Sequence, residues 1–169
     1  MKIRVEKAED IEAIRQVNVA AFGREIEADL VDRLRGVAAT FSFIAVESER
    51  VVGHVFFSPV AIDGECPKDL AVIGLAPVAV MPEYQRKGIG SLLIRYGLEE
   101  CDRLGFKAVV VLGSPAYYQR FGFTPAKEKG LRSEYNVPDE AFMVLELEKD
   151  ALKECVGIVK YHAEFSNLE

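Results

Sequence analysis

The sequence predicts an α/β domain (α+β where mixed sheets are so classed) built on a central sheet that contains both parallel and antiparallel strands. Three observations carry this prediction. A nearly all-apolar run, Leu70 to Met81, leads into a helical pattern over 90–104 and then the apolar run 107–112. That is the order of a βαβ unit, whose two strands should be parallel neighbours. Upstream, Phe41 to Ile62 is rich in Val, Ile and Phe and is divided by the polar "ESER" at 47–50, the pattern of an antiparallel hairpin. Finally, 169 residues, 50% of them hydrophobic, fit one domain spanning 1–169, with no linker or repeat to divide it.

Each element follows from a local pattern. Ile3 and Val5 alternate as in a strand, after which Ile11, Ile14, Val17 and Ala21 take the three-and-four spacing of one helix face, stopped by Gly23. Ile26, Leu30 and Leu34 mark a second short helix ending near Gly36. The polar "DGECPKD" at 63–69 reads as a mobile connection. Run 70–81 should be covered on both faces and lie near the middle of the sheet, but Gly74 and Pro77 suit no regular interior strand and predict a bulge or splay. Ile89, Leu92, Leu93, Tyr96, Cys101 and Leu104 then keep helical spacing up to Gly105. In "GSPAYYQRFGF", Ser114 suits the N-cap, Pro115 the first helical position and Gly122 the stop. A last strand spans Ala141 to Glu148, and the tail 150–169 packs on the domain.

Composition excludes several functions. Twenty-seven acidic against twenty-one basic residues, net charge -6, with no long like-charge block, argue against a nucleic-acid surface. Cys66, Cys101 and Cys155 are odd in number, without CxxC spacing or a histidine cluster, which argues against a disulfide framework or a metal site. The N-terminus lacks a signal-peptide apolar region, and no apolar run is long enough for a membrane helix. The expectation is a soluble cytoplasmic protein.

The chemistry concentrates in "VMPEYQRKGIGS" at 80–91. A helix starting near Gly90 directly after a strand presents unpaired N–H groups and the positive end of its dipole, an anion site. Gly88 and Gly90 let a ligand approach the backbone closely, and Arg86 and Lys87 add charge suited to phosphate. A plain strand-to-helix turn with solvated bases has the same local pattern. The spacing is neither GxGxxG nor GxxxxGK[ST], so dinucleotide and nucleotide-hydrolase loops lose support.

Gln85-x-x-Gly88-x-Gly90 resembles the [QR]xxGx[GA] signature of the GCN5-related N-acetyltransferase (GNAT) family. "GLAPVAVMPEYQRKGIGSLL", "VLGSPAYYQRFGF", "AFMVLEL" and "GIVKYHAEF" look more narrowly like its YhbS-type branch. The resemblance implies a sheet of about six to seven strands whose central parallel pair splays, flanked by about four helices. It implies that Gln85, Arg86, Lys87, Gly88, Ile89, Gly90 and Ser91 hold the pyrophosphate of acetyl-CoA. The backbone of Val78, Ala79 and Val80 would pair with pantetheine, with Ser114 and Tyr118 beside the cofactor. Acetyl-CoA is the only cofactor implied, with no metal. The partner is an amine acceptor, with neither nucleic acid nor membrane, and edge strands and the C-terminal segment could support a homodimer.

The implied reaction is direct acetyl transfer to a primary amine of a small molecule, peptide or protein in a ternary complex. The alternatives are a non-catalytic acyl-CoA binder, or transfer with a longer acyl donor or a hydroxyl acceptor. Tyr118, four residues before Gly122, matches the family's acid tyrosine, whereas Tyr117, four before Phe121, reads as core packing. Some relatives carry a glutamate base near the start of the splayed strand, but this chain has Val72-Ile73-Gly74-Leu75 there. Glu25, His54 and Asp63 remain as base candidates, with a structural role favoured for His54, and a water relay would need none of them. Cys101 reads as an inert core thiol, and His162 as either a cover for the acceptor site or an anchor for the tail.

Overall fold

A computed structural model describes residues 1–168. The chain forms two compact units whose segments interleave. The first comprises residues 1–58, 76–97 and the segment from Ala163 onward; the second comprises 59–75 and 98–162.

In the first unit, β1 (Lys2–Val5) pairs antiparallel with β2 (Phe41–Glu47), and β2 pairs antiparallel with β3 (Arg50–Pro59). The hairpin turns within "ESER", where Ser48 and Glu49 both take positive φ. Helix α1 (Ile11–Phe22) buries Ile14 and Val17 and ends on Gly23 at φ 69°, the left-handed stop expected for glycine. Helix α2 (Ile26–Val37) buries Ala28, Leu30, Val31 and Leu34. A final 3-10 segment, Ala163–Leu168, packs on α2, with Arg33 and Glu164 3.9 Å apart.

Strand β5 (Val72–Val80) and helix α3 (Ile89–Arg103) each contribute to both units. The first half of α3 lies close on β3, because Gly53 leaves space for Leu93 and Ile89, and Gly97 leaves space for the ring of Phe57. A Cβ at Gly97 would overlap that ring, so this crossing needs glycine for want of room rather than for flexibility.

In the second unit, β5 runs parallel to β6 (Ala108–Leu112), β6 pairs antiparallel with β9 (Phe142–Glu146), and β9 pairs with β7 (Thr124–Pro125). The strands run β1-β2-β3-β5 in the first unit and β5-β6-β9-β7 in the second, seven among the described residues. The parallel ladder spans only Val72↔Ala108 to Gly74↔Val110, although β6 continues to Leu112 against β9. The strands therefore part just after Gly74, which is the splay that Gly74 and Pro77 predict. A short helix α4 (Pro115–Tyr118) passes into a 3-10 turn that Gly122 closes at φ 98°.

Three expectations need correction. Residues 63–65 of "DGECPKD" are not a mobile connection but the end of β4 (Ala61–Glu65). The tail contains a strand, β10 (Val156–Lys160), which pairs antiparallel with β4 and parallel with β8 (Leu131–Ser133), making a second, three-stranded sheet. Cys66 and Cys155 form a disulfide, with Cα atoms 4.2 Å apart. The register explains the bond: Glu65 faces Val156, so the next residue on one strand and the preceding residue on the other meet at the end of the ladder. Cys101 remains a free thiol in the core, its pKa pushed up to about 12 by burial and then by Glu100, in keeping with an inert residue.

Candidate active site

The loop after β5 is pinned at both ends. Met81 N–H donates to Val52 O at 2.8 Å, and the Gln85 side chain donates through Nε2 to Val80 O at 2.9 Å. Gln85 thus tethers the loop to the strand that precedes it. Pro82–Tyr84 forms one 3-10 turn, after which Arg86 takes φ 63° and Gly88 φ 83°. For arginine that conformation costs about 1 kcal/mol or more, and such strain in a non-glycine residue is typical of ligand-binding loops.

The two left-handed residues turn the chain into α3 at Ile89, so the first N–H groups of the helix, at Ile89 and Gly90, have no intrahelical acceptor. Ile89 is buried and anchors the turn; Arg86, Lys87 and Gly88 are exposed. A Cβ at Gly88 would meet nothing within 4 Å, so the open space above it admits a ligand, and its glycine is required by φ alone. Beside the loop, Tyr84 lies between Lys87 Nζ at 5.4 Å and the Arg50 guanidinium at 5.8 Å, and Arg50 also pairs with Glu83 at 3.3 Å. Arg50 and Tyr84 had no motif to announce them; only the hairpin brings residue 50 beside residue 84. Along β5, Val78 and Val80 are half-buried while Ala79 is 2% exposed.

In the second unit, α4 places Tyr118 in an aromatic cluster, its ring centroid 5.1 Å from Tyr117, 5.7 Å from Phe123 and 6.2 Å from Phe121. Tyr117 stacks edge-on against Phe121 at 5.4 Å, as its packing role requires. Ser114 stands at the N-cap in extended conformation; its carbonyl accepts from Tyr118 N at 3.0 Å, but its side chain makes no cap hydrogen bond. The Tyr118 ring lies against Gly113, where any Cβ would overlap it. Burial, and then Tyr117, push the phenol pKa up to about 12, so it is a protonated donor at neutral pH.

Residues 2–126 match the model of the acetyltransferase (GNAT) domain. The chain belongs to the GNAT acetyltransferase family. It is 39% identical over 168 residues to the Escherichia coli (strain K12) N-acetyltransferase YhbS, covering 98% of this chain and 99% of YhbS. Its fold superposes on the crystal structure of the GNAT N-acetyltransferase YhbS from Escherichia coli in complex with CoA with a TM-score of 0.91, covering 98% of this chain and 91% of that one. A GNAT acetyltransferase from Brucella melitensis, in complex with acetyl-CoA, gives a TM-score of 0.79 at 38% identity, covering 97% of each chain. The chain is therefore an acyltransferase.

The three base candidates of this GNAT acetyltransferase sit in unlike settings. Glu25 occupies the N-cap position of α2 without a side-chain cap hydrogen bond, its side chain 74% exposed and 3.8 Å from Arg15. Asp63 is exposed on β4 opposite Ile158. His54 is fully buried on β3, with both ring nitrogens engaged: Nδ1 is 3.1 Å from Asn18 Nδ2 and Nε2 is 2.8 Å from Ser42 Oγ. Burial, and then the Arg35 charge, lower its pKa to about 3. His162 is half-buried, one residue past Tyr161, whose N–H donates to Glu134. Among the described residues, no group of three or more His, Cys, Asp or Glu is placed to hold a metal ion, and no helix is long and apolar enough to cross a membrane.

Proposed function

We propose that residues 1–169 act as one catalytic domain that transfers the acetyl group of acetyl-CoA directly to a primary amine. The observation that carries this reading is the loop: Arg86 and Gly88, both at positive φ, turn the chain so that the first N–H groups of a fifteen-residue helix open outward beside two exposed bases. That arrangement suits a pyrophosphate. CoA and acetyl-CoA in the YhbS and Brucella melitensis structures support the same assignment.

The backbone of Val78 to Val80 pairs with the pantetheine amides, while Arg86, Lys87 and the amides of Gly88 to Ser91 hold the phosphates. The amine lone pair attacks the thioester carbon, and the oxyanion collapses by breaking the C–S bond. Tyr118 donates its phenolic proton to the departing thiolate, aided by Ser114 at the start of the same short helix. The proton lost by the amine leaves through ordered water, with Glu25 and Asp63 as exposed acceptors. His54 is reserved for structure, since its two nitrogens are already bonded inside the core.

Amine-dependent release of CoA across a panel of primary amines, with product mass detection, tests the proposal. Acetylated product formed in proportion to thiol release is the expected result. Saturable acetyl-CoA binding without release in the presence of any amine would leave only a cofactor-binding protein, the reading that the missing carboxylate in Val72–Leu75 favours.

A further inference from the structure

A cavity of about 190 Å³ lies in the second unit, lined by β8, the segment that follows it and the turn at Lys127. Its apolar lining includes Leu131 and Phe142, 0% and 3% exposed. Its rim carries the polar side chains of Arg132, Ser133 and Asn136. The volume is below the roughly 300 Å³ at which pockets enclose a whole drug-sized ligand, so one end of a small molecule fits it.

The charges around it are unequal. Lys127 is paired with Asp139 at 3.8 Å, Lys129 turns to Glu146 at 3.0 Å, and Glu134 accepts from Tyr161 N–H. Among the described residues Arg132 makes no ion pair, although the chain has an acidic excess of six. One uncompensated guanidinium over an apolar floor matches a monoanion carried on an aliphatic stem. A planar carboxylate meets the guanidinium fork with two hydrogen bonds, whereas a phosphate monoester, at a charge near -2, would be left partly unneutralised.

The cavity is also tied to Tyr118. Its floor residue Phe142 is in register with Leu112, and Gly113, the next residue, donates its N–H to Ala141 O at 2.9 Å while its Cα lies against the Tyr118 ring. Phe142 is thus joined to the Tyr118 ring through Leu112 and Gly113.

We infer that this cavity is the acceptor's anchoring site, with Arg132 gripping a carboxylate, so that the preferred acceptors are small primary amines bearing a carboxylate. The inference rests on the acetyl-transfer reading above. Its test uses matched pairs that differ only at the anchored end, such as 4-aminobutyrate and 4-aminobutanamide. In steady-state transfer by the full chain the carboxylate is favoured in kcat/KM by about tenfold or more. Arg132→Gln raises the KM for the carboxylate until the pair is alike, and Arg132→Lys, which keeps the charge without the fork, falls between. Saturation-transfer NMR with the same two amines reads the cavity without turnover: contact from the carboxylate's methylenes in the wild type, lost in Arg132→Gln. Equal handling of acid and amide, or an Arg132→Gln variant that retains the preference, overturns the inference. An intact NMR contrast with no CoA release in any arm supports the anchoring site and overturns the transfer reading instead.

Discussion

The hydroxyl of Ser42 lies 2.8 Å from Nε2 of His54, inside the first unit, and the Asn18 amide on the other side of the ring fixes which nitrogen carries the imidazole proton. Asn18 Nδ2 donates both to Ile14 O at 3.0 Å and towards His54 Nδ1, so Nδ1 accepts and the proton is on Nε2. Ser42 Oγ in turn donates a hydrogen bond to Glu6 at 2.6 Å, and Arg35 grips Glu6 through Nε at 3.0 Å and Nη2 at 2.8 Å. A second proton on His54 would have to be aimed at the Asn18 amide, itself a donor.

That network predicts a stability profile. The folded-state pKa of His54 is about 3, below its ordinary 6.5, so between those values the unfolded chain binds the extra proton and the folded chain does not. Stability is fully present above pH 6.5 and falls as pH drops towards 3, by about 1.4 kcal/mol per unit. Urea unfolding from pH 7 to pH 5 should show this decline in a range above ordinary carboxylate titration, and His54→Gln should flatten it. A wild-type midpoint unchanged across that range would contradict the neutral, buried imidazole.

Replacing Gly90 with glutamate puts a carboxylate in the first turn of α3, beside the proposed pyrophosphate. Acetyl-CoA affinity by calorimetry should fall about a hundredfold, as several kcal/mol of like-charge repulsion requires. Normal affinity in Gly90→Glu would remove the phosphates from this loop.

Tyr118→Phe should lower kcat about a hundredfold while acetyl-CoA still binds. Because the phenol titrates near 12, the wild type should keep this acid loaded well past pH 10, the ordinary tyrosine value. Gly113→Ala gives an independent check, since the added methyl overlaps the Tyr118 ring and should depress kcat without touching the phosphate loop. Full turnover in both variants would end the acid assignment.

The Cys66–Cys155 bond closes a sequence separation of 89 residues and clamps the end of the β4/β10 ladder. Its loss by paired substitution with serine should cost about 2–4 kcal/mol in chemical denaturation. The wild type treated with a strong reductant should drop by the same amount, and the serine pair should not respond to it.

The fold's centre and the strand-to-helix turn at 85–91 were legible in the sequence because their signals are local. Run 70–81 is apolar throughout, the helix after it has regular spacing up to Gly105, and Gly88 and Gly90 stand where a strand turns into a helix. The split after Gly74 was legible for the same reason, as glycine and proline disturb a ladder wherever they occur. The three-residue strand β8 and β10 at the chain's end were not, since strands this short carry too little pattern and are defined by their partners.

By itself, then, the sequence determined the central βαβ unit, the glycine turn at 88–90 and the family, all of which depend on neighbours within a few residues. Only the tertiary structure decided that Cys66 meets Cys155, that His54 is closed between Asn18 and Ser42, and that Arg132 and Phe142 line one cavity. Each of these depends on how separate elements pack and pair, where burial and register, rather than local spacing, set a side chain's partners.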